Sequence, residues 1–229
     1  EALRLVGSVP TLLLVGISGA GKDTINHQLL TTGHYHRIVT HTTRQPRHNH
    51  GILETDGVEY HFIDYPTAEN LLKSHGFIEA KVYSNNVYGS SIGEFQLAHD
   101  EGKIALADID VQGVAEYMQL IPGNVRPLFL LPPDYETWQH RLFSRYGDSH
   151  TDHVDDLRLR TEAAARELEE LLAKDYYFVL INDDLDETVR AADEIARSGV
   201  QPTEQKAAAL EVARAILTRV REHSRPYHR

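Results

Sequence analysis

The chain has 229 residues, 41% hydrophobic and 25% charged, a balance that suits one large globular domain or a domain with an insert. Its 34 acidic against 23 basic residues give a net charge of -11, which argues against a general grip on a nucleic-acid polymer or an anionic membrane. With no cysteine, disulfides, thiolate metal sites and a cysteine nucleophile are all ruled out, and a reducing, cytoplasmic location is expected.

The first predicted element is the continuous apolar run PTLLLVGIS, Pro10 to Ser18, far shorter than the about 20 residues that span a bilayer. It breaks into glycines, and KDTINHQLLTTG behind it carries Ile25, Leu29 and Leu30 at helical spacing, so this stretch reads as buried strand, loop and helix. Thr40 to Ser91 is rich in Gly, Asn, Asp and Tyr with short alternating runs, which predicts a small inserted β-rich lobe. Buried-strand runs follow at Lys103 to Asp110, Val125 to Pro133 and Tyr176 to Asn182, with helical stretches at Tyr135 to Arg145 and Val154 to Lys174. After Gly199, Pro202 and a capping Thr203 open a further amphipathic helix with apolar residues at Leu210, Ala213, Leu217 and Val220. Strands alternating with helices imply an α/β fold whose parallel sheet carries helices on both faces.

GISGAGKDT, Gly16 to Thr24, begins as a phosphate-binding P-loop, G-x-x-x-x-G-K, but has Asp23 where a hydroxyl residue usually follows. Its place between a strand and a helix gives it a mechanism. Successive backbone N–H groups and the helix N-terminus face an anion, and Lys22 adds a point charge.

Beyond the loop, THTTRQPR (Thr40 to Arg47), DGVEYHF (Asp56 to Phe62), GFIEAKVYSNNVYGSS (Gly76 to Ser91), ADIDVQG (Ala107 to Gly113), FLLPP and INDDLD (Ile181 to Asp186) occur in an order that resembles the guanylate kinase family. The resemblance spans Pro10 to Gly199 and implies a P-loop NTPase fold that moves the γ-phosphoryl of ATP onto GMP with Mg2+. It divides the chain into a guanylate kinase domain, 1–200, and an extra C-terminal helix within 201–229. The core would be 1–38, 94–140 and 161–200, the GMP-binding lobe 39–93 and the lid 141–160.

Carried over residue by residue, the resemblance gives an ATP site at Gly16, Ser18, Gly19, Ala20, Gly21, Lys22, Asp23, Thr24 and Asn182, the last on the adenine side. Arg44 and Arg47 offer planar forks to the GMP phosphate, with Tyr60 and Tyr88 as neutral hydroxyl donors and Ser90 beside them. Glu79 and Asp110 match the carboxylates that accept guanine's N1 and N2 hydrogens, and Thr40 sits where a hydroxyl meets O6. Catalytic charge neutralisation falls to Lys22, Arg44, Arg141, Arg145 and Arg160, with Arg158 competing for the last role. Asp108, at a strand end, is the candidate near magnesium, with Asp23 or Thr24 as further candidates.

Three departures from the family stay open. Asp23 either helps hold the metal or faces outward at the helix start; RHNHGILETDG is a longer link, with Glu54 matching the family's acidic residue; and the lid is longer and more acidic. His48 and His50 have no third nearby metal ligand and read as an ordinary loop. Two rival functions remain: a ribose 1,5-bisphosphate phosphokinase, in which Gly-Lys-Asp is familiar, and a non-catalytic guanylate-kinase-like protein-binding module.

Overall fold

A computed structural model describes residues 2–49, 51–121, 123–144 and 154–224. Its elements begin α1 (Ala2–Ser8), β1 (Thr11–Val15), α2 (Lys22–Thr31), β2 (Tyr35–Arg37), β3 (His41–Thr42), β4 (His48–Asn49), β5 (Ile52–Leu53) and β6 (His61–Phe62). There follow α3 (Tyr65–Lys73), β7 (Phe77–Tyr83), β8 (Asn86–Ser91), α4 (Ile92–Asp100), β9 (Ile104–Asp108) and α5 (Val111–Leu120). The last are β10 (Val125–Leu131), α6 (Tyr135–Ser144), α7 (Val154–Ala173), β11 (Phe178–Ile181), α8 (Leu185–Ser198) and α9 (Thr203–Ser224). The fold is α/β, with parallel strands flanked by helices, and it forms two compact units.

The first unit comprises 1–11, 32–107 and 112–125. In it β2 pairs parallel to β9 with Tyr35 opposite Ile104, and a four-stranded sheet has the order β6-β3-β8-β7. The β7–β8 hairpin turns at Ser84 and Asn85, whose φ values of 46° and 62° are left-handed, a region that Asn tolerates better than most residues. The chain between β2 and β3 is tied down by Glu94 of α4, a buried carboxylate. It accepts from Val39 N at 2.9 Å, lies 2.9 Å from His61 Nε2 and 3.5 Å from His36 Nε2, and so joins three segments of the unit through one charge.

The inserted lobe is β-rich as expected, with two additions. Residues 65–73 form a helix, started by Asp64, whose carboxylate accepts from Thr67 N at 2.8 Å, and by Pro66 in the first turn. The stretch expected to be an ordinary loop is instead the hairpin β4–β5, turning through Gly51 at φ 82°; His50 lies outside the described residues.

The second unit comprises 12–31, 108–111 and the chain from 126 onward. Its strands run β11-β10-β1, with β10 parallel to β11 and Leu128 opposite Phe178. Leu12, Leu13, Leu14, Phe129, Leu130 and Val179 are fully buried, which is why these segments read as unbroken apolar runs rather than alternating ones. Asp184 is the N-cap of α8 and accepts from Glu187 N at 2.9 Å.

Helix α9 is built into this unit. Ala209, Ala213, Ile216, Leu217 and Val220 bury its apolar stripe, and α7, α6 and β11 are its neighbours. Just before it, the Gln201 amide donates to Val179 O and accepts from Val179 N at 3.0 Å, satisfying the backbone of edge strand β11 as a further strand would. Ile216→Ala should therefore cost about 2–4 kcal/mol in urea unfolding. A loss below about 0.5 kcal/mol, typical of a surface change, would mean that the helix is not part of the core.

Candidate active site

In the second unit, residues 16–21 join β1 to α2, and a loop of this kind, which turns N–H groups toward an anion, must satisfy its carbonyls elsewhere. Five of these carbonyls have donors. Lys22 Nζ donates to Gly16 O at 2.6 Å, Ala20 N to Ile17 O at 3.0 Å and Trp138 Nε1 to Ser18 O at 2.8 Å. Asn182 Nδ2 donates to Ala20 O at 2.8 Å, and Ile25 N to Gly21 O at 3.2 Å. Two glycines are sterically required. Gly16 has φ 146° with its α-carbon against Leu130 O, and Gly21 has φ 91° with its α-carbon against the Asn182 amide, so a Cβ at either would collide.

Asn182, expected on the adenine side, has partners in the loop itself. It is buried, its backbone N donates to Leu131 O at 2.7 Å, its carbonyl accepts from Arg141 at 3.0 Å, and its amide braces the loop. Arg160 NH1 donates to Ser18 Oγ at 3.0 Å while its Nε donates to Asp156 at 2.9 Å. Arg158 instead pairs with Glu162 and Asp155 on its own helix, so of the two it is Arg160 that touches the loop. Arg145 lies outside the described residues. Asp23 is exposed in the first turn of α2, where a negative charge suits the helix dipole, and Thr24 is exposed beside it. Asp108 ends β9 exposed, and Asp110 is exposed two residues on.

Sequence reasoning missed two side chains here. Trp138 lies on the buried face of α6, and its indole N–H needed a partner, which the loop supplies. Glu167 of α7 has a buried Oε2 without a hydrogen-bond partner among the described residues, a fact its position in an acidic helix gives no hint of. Burial pushes its carboxyl up to about 7, offset in part by Lys22 and Arg166 and reinforced by Asp110 and Asp108.

In the first unit, Thr42 and Thr43 are buried, and each hydroxyl accepts a backbone N–H, from Arg44 at 3.1 Å and Val87 at 2.9 Å respectively. That delivers Arg44, also buried, to Glu54. NH1 meets Oε2 at 2.8 Å and NH2 meets Oε1 at 3.0 Å, a bidentate pair, and NH1 also donates to Gln45 O at 2.8 Å. Arg47 N donates to the same carboxylate at 2.8 Å, so the longer link closes back on Glu54. Three of the five guanidinium donors of Arg44 are engaged in these bonds, which leaves a donor for Tyr88. Tyr60 packs 5.1 Å beneath Arg44 and edge-on to Tyr88 at 6.0 Å. The Arg47 side chain is exposed, and Thr40 is part-buried with its carbonyl accepting from His61 N at 2.9 Å.

Opposite Ser90 across the β7–β8 ladder stands Glu79, aimed by an irregularity between Phe77 and Glu79. Its Oε1 accepts from Ser90 N at 3.1 Å and Ser90 Oγ at 2.9 Å. Burial raises its pKa and the Ser90 hydrogen bonds oppose that. Among the described residues no group of three His, Cys, Asp or Glu side chains is arranged to hold a metal ion, and no helix is long and apolar enough to cross a membrane.

Comparison with known proteins gives consistent findings. The family model described as "Guanylate kinase" matches residues 8–198. Guanylate kinase from Thermus thermophilus is 34% identical over 177 residues, 77% of this chain and 76% of that protein. The Zymomonas mobilis guanylate kinase is 35% identical over 179 residues, 78% of each chain. A crystal structure of guanylate kinase from Anaplasma phagocytophilum superposes with a TM-score of 0.60 at 25% identity, covering 89% of this chain and 93% of that one.

The Glu167 carboxyl binds its proton more tightly folded than unfolded, so its contribution to stability is full below its ordinary 4.5 and is lost as pH rises through about 7. Glu167→Gln, which removes the buried charge, should melt higher than wild type at pH 8.5, with the difference shrinking by pH 5. An equal difference at both pH values would contradict the burial argument.

Proposed function

The chain belongs to the guanylate kinase family, and from that we propose that it transfers the γ-phosphoryl group of ATP to GMP, giving ADP and GDP. The observation that carries this beyond family membership is the pairing of Glu79 with Ser90, which presents a carboxylate with one oxygen engaged and Oε2 left for a donor. Guanine offers hydrogen-bond donors at N1 and N2, whereas adenine would turn an acceptor toward that oxygen.

In this reading Gly16, Ser18, Gly19, Ala20, Gly21, Lys22, Asp23 and Thr24 hold the ATP phosphates, with Asn182 bracing the loop. Arg44, Arg47, Tyr60 and Tyr88 hold the acceptor phosphate, while Thr40, Glu79, Ser90 and Asp110 recognise the base. Lys22, Arg141, Arg145 and Arg160 neutralise charge that develops on the transferred group. Phosphoryl transfer needs alignment and charge compensation, so no side chain acts as a nucleophile.

The available donors suit magnesium, which takes oxygen ligands and keeps several waters. Lacking a three-residue cage among the described residues, the protein would receive Mg2+ on the nucleotide, with Asp108 and the Thr24 hydroxyl, or Asp23, nearest to it. When bound there it would supply positive charge to offset the negative charge of the phosphates. A cytoplasmic location, where both nucleotides are available, belongs to the same reading.

A phosphotransfer panel with ATP and GMP, AMP or ribose 1,5-bisphosphate as acceptors tests it. GMP should exceed AMP in kcat/KM by about 10³ or more, because the wrong base leaves a buried carboxylate unpaired. Preference for the sugar bisphosphate would favour the rival kinase, and an absence of affinity for both ATP and GMP the non-catalytic module.

A further inference from the structure

Tyr117 of α5 is fully buried, with its ring 6.1 Å from Phe95, yet its hydroxyl has no hydrogen-bond partner among the described residues. Such a group is costly to leave unmade and calls for an explanation. The hydroxyl lies beside Ser90 and near Glu79, close enough to interact but short of hydrogen-bond geometry. Ser90 has a single proton, and that proton goes to Glu79 Oε1, so Ser90 Oγ retains lone pairs to accept with.

We propose that Tyr117 is a positioning residue for base recognition: its hydroxyl donates to Ser90 Oγ when GMP binds, which fixes the Ser90 proton on Glu79 Oε1 and leaves Oε2 ionised and directed at guanine. The inference rests on the GMP reading above. A chain of donors from Tyr117 through Ser90 to Glu79 polarises each link, and a carboxylate at its end is favoured in the charged form. The charged form is the one needed, since only it accepts from two base hydrogens.

The other groups facing Glu79 leave room for such support. Burial raises its pKa, Glu116 of α5 raises it further, and Lys81 and Ser90 lower it. Burial also keeps the Tyr117 hydroxyl far above its ordinary range, so Tyr117 remains a proton donor throughout the working pH range. No matching residue was singled out from sequence, because a tyrosine on the apolar stripe of α5 looks like core.

Tyr117→Phe keeps the ring and removes only the hydroxyl. In the full chain the KM for GMP should rise about 5- to 10-fold with kcat within about twofold, the pattern of lost binding rather than lost chemistry. The KM for ATP should not move. The acid limb of kcat/KM for GMP should shift to higher pH, since Glu79 would then protonate more readily. Added to Glu79→Gln, the same substitution should have less than about a twofold effect, because the two act through one chain. Unchanged KM for GMP and an unchanged acid limb, with a raised melting temperature, would overturn the inference and make the hydroxyl merely an orphan in the core. Wild-type protein that phosphorylates another acceptor in preference to GMP would instead overturn the GMP reading, and this inference with it.

Discussion

A loop that turns its N–H groups toward an anion turns its carbonyls away from it, and each carbonyl needs a donor from elsewhere in the fold. That constraint organises the second unit. Trp138 is brought by α6, Asn182 follows β11, and Lys22 and Ile25 are supplied by α2. The apolar strands place these donors where the loop needs them. The glycines at 16 and 21 are needed because the backbone passes against Leu130 O and the Asn182 amide.

The same logic recurs with charge in both units. Lys22 rests on Gly16 O, Arg44 on Glu54, and Arg160 on Asp156 and Ser18. Each of these cations is held in place by a local acceptor. Side chains already ordered lose less freedom when a ligand binds, which favours affinity and alignment together. The cation–carboxylate pairs also keep a strongly negative chain from leaving part-buried positive groups without partners.

Much of this was legible in the sequence, and the reasons differ by element. The strands that became β1, β9, β10 and β11 are apolar on both faces and stand out as runs. Helix α9 showed itself through spacing, and the Arg44, Tyr60, Glu79 and Tyr88 positions through short blocks in a recognisable order. Helix α3 was hidden because its Asp64 cap and Pro66 also read as turn residues. The β4–β5 hairpin was hidden because its strands are two residues each and too short for a period. Glu167, Trp138 and Tyr117 were invisible for a deeper reason. Their importance lies in a polar atom at the buried end of a side chain, and burial of one atom leaves no mark on periodicity.

The central claim is that Asn182 shapes the phosphate loop, and calorimetric binding of ATP and of inorganic tripolyphosphate to Asn182→Ala separates that role directly from a contact with adenine. A brace for the loop predicts that both ligands weaken by a similar factor, about tenfold or more, since each loses the same set of oriented N–H groups. Weakened ATP binding with unchanged tripolyphosphate binding would contradict the account and return Asn182 to a contact with the base.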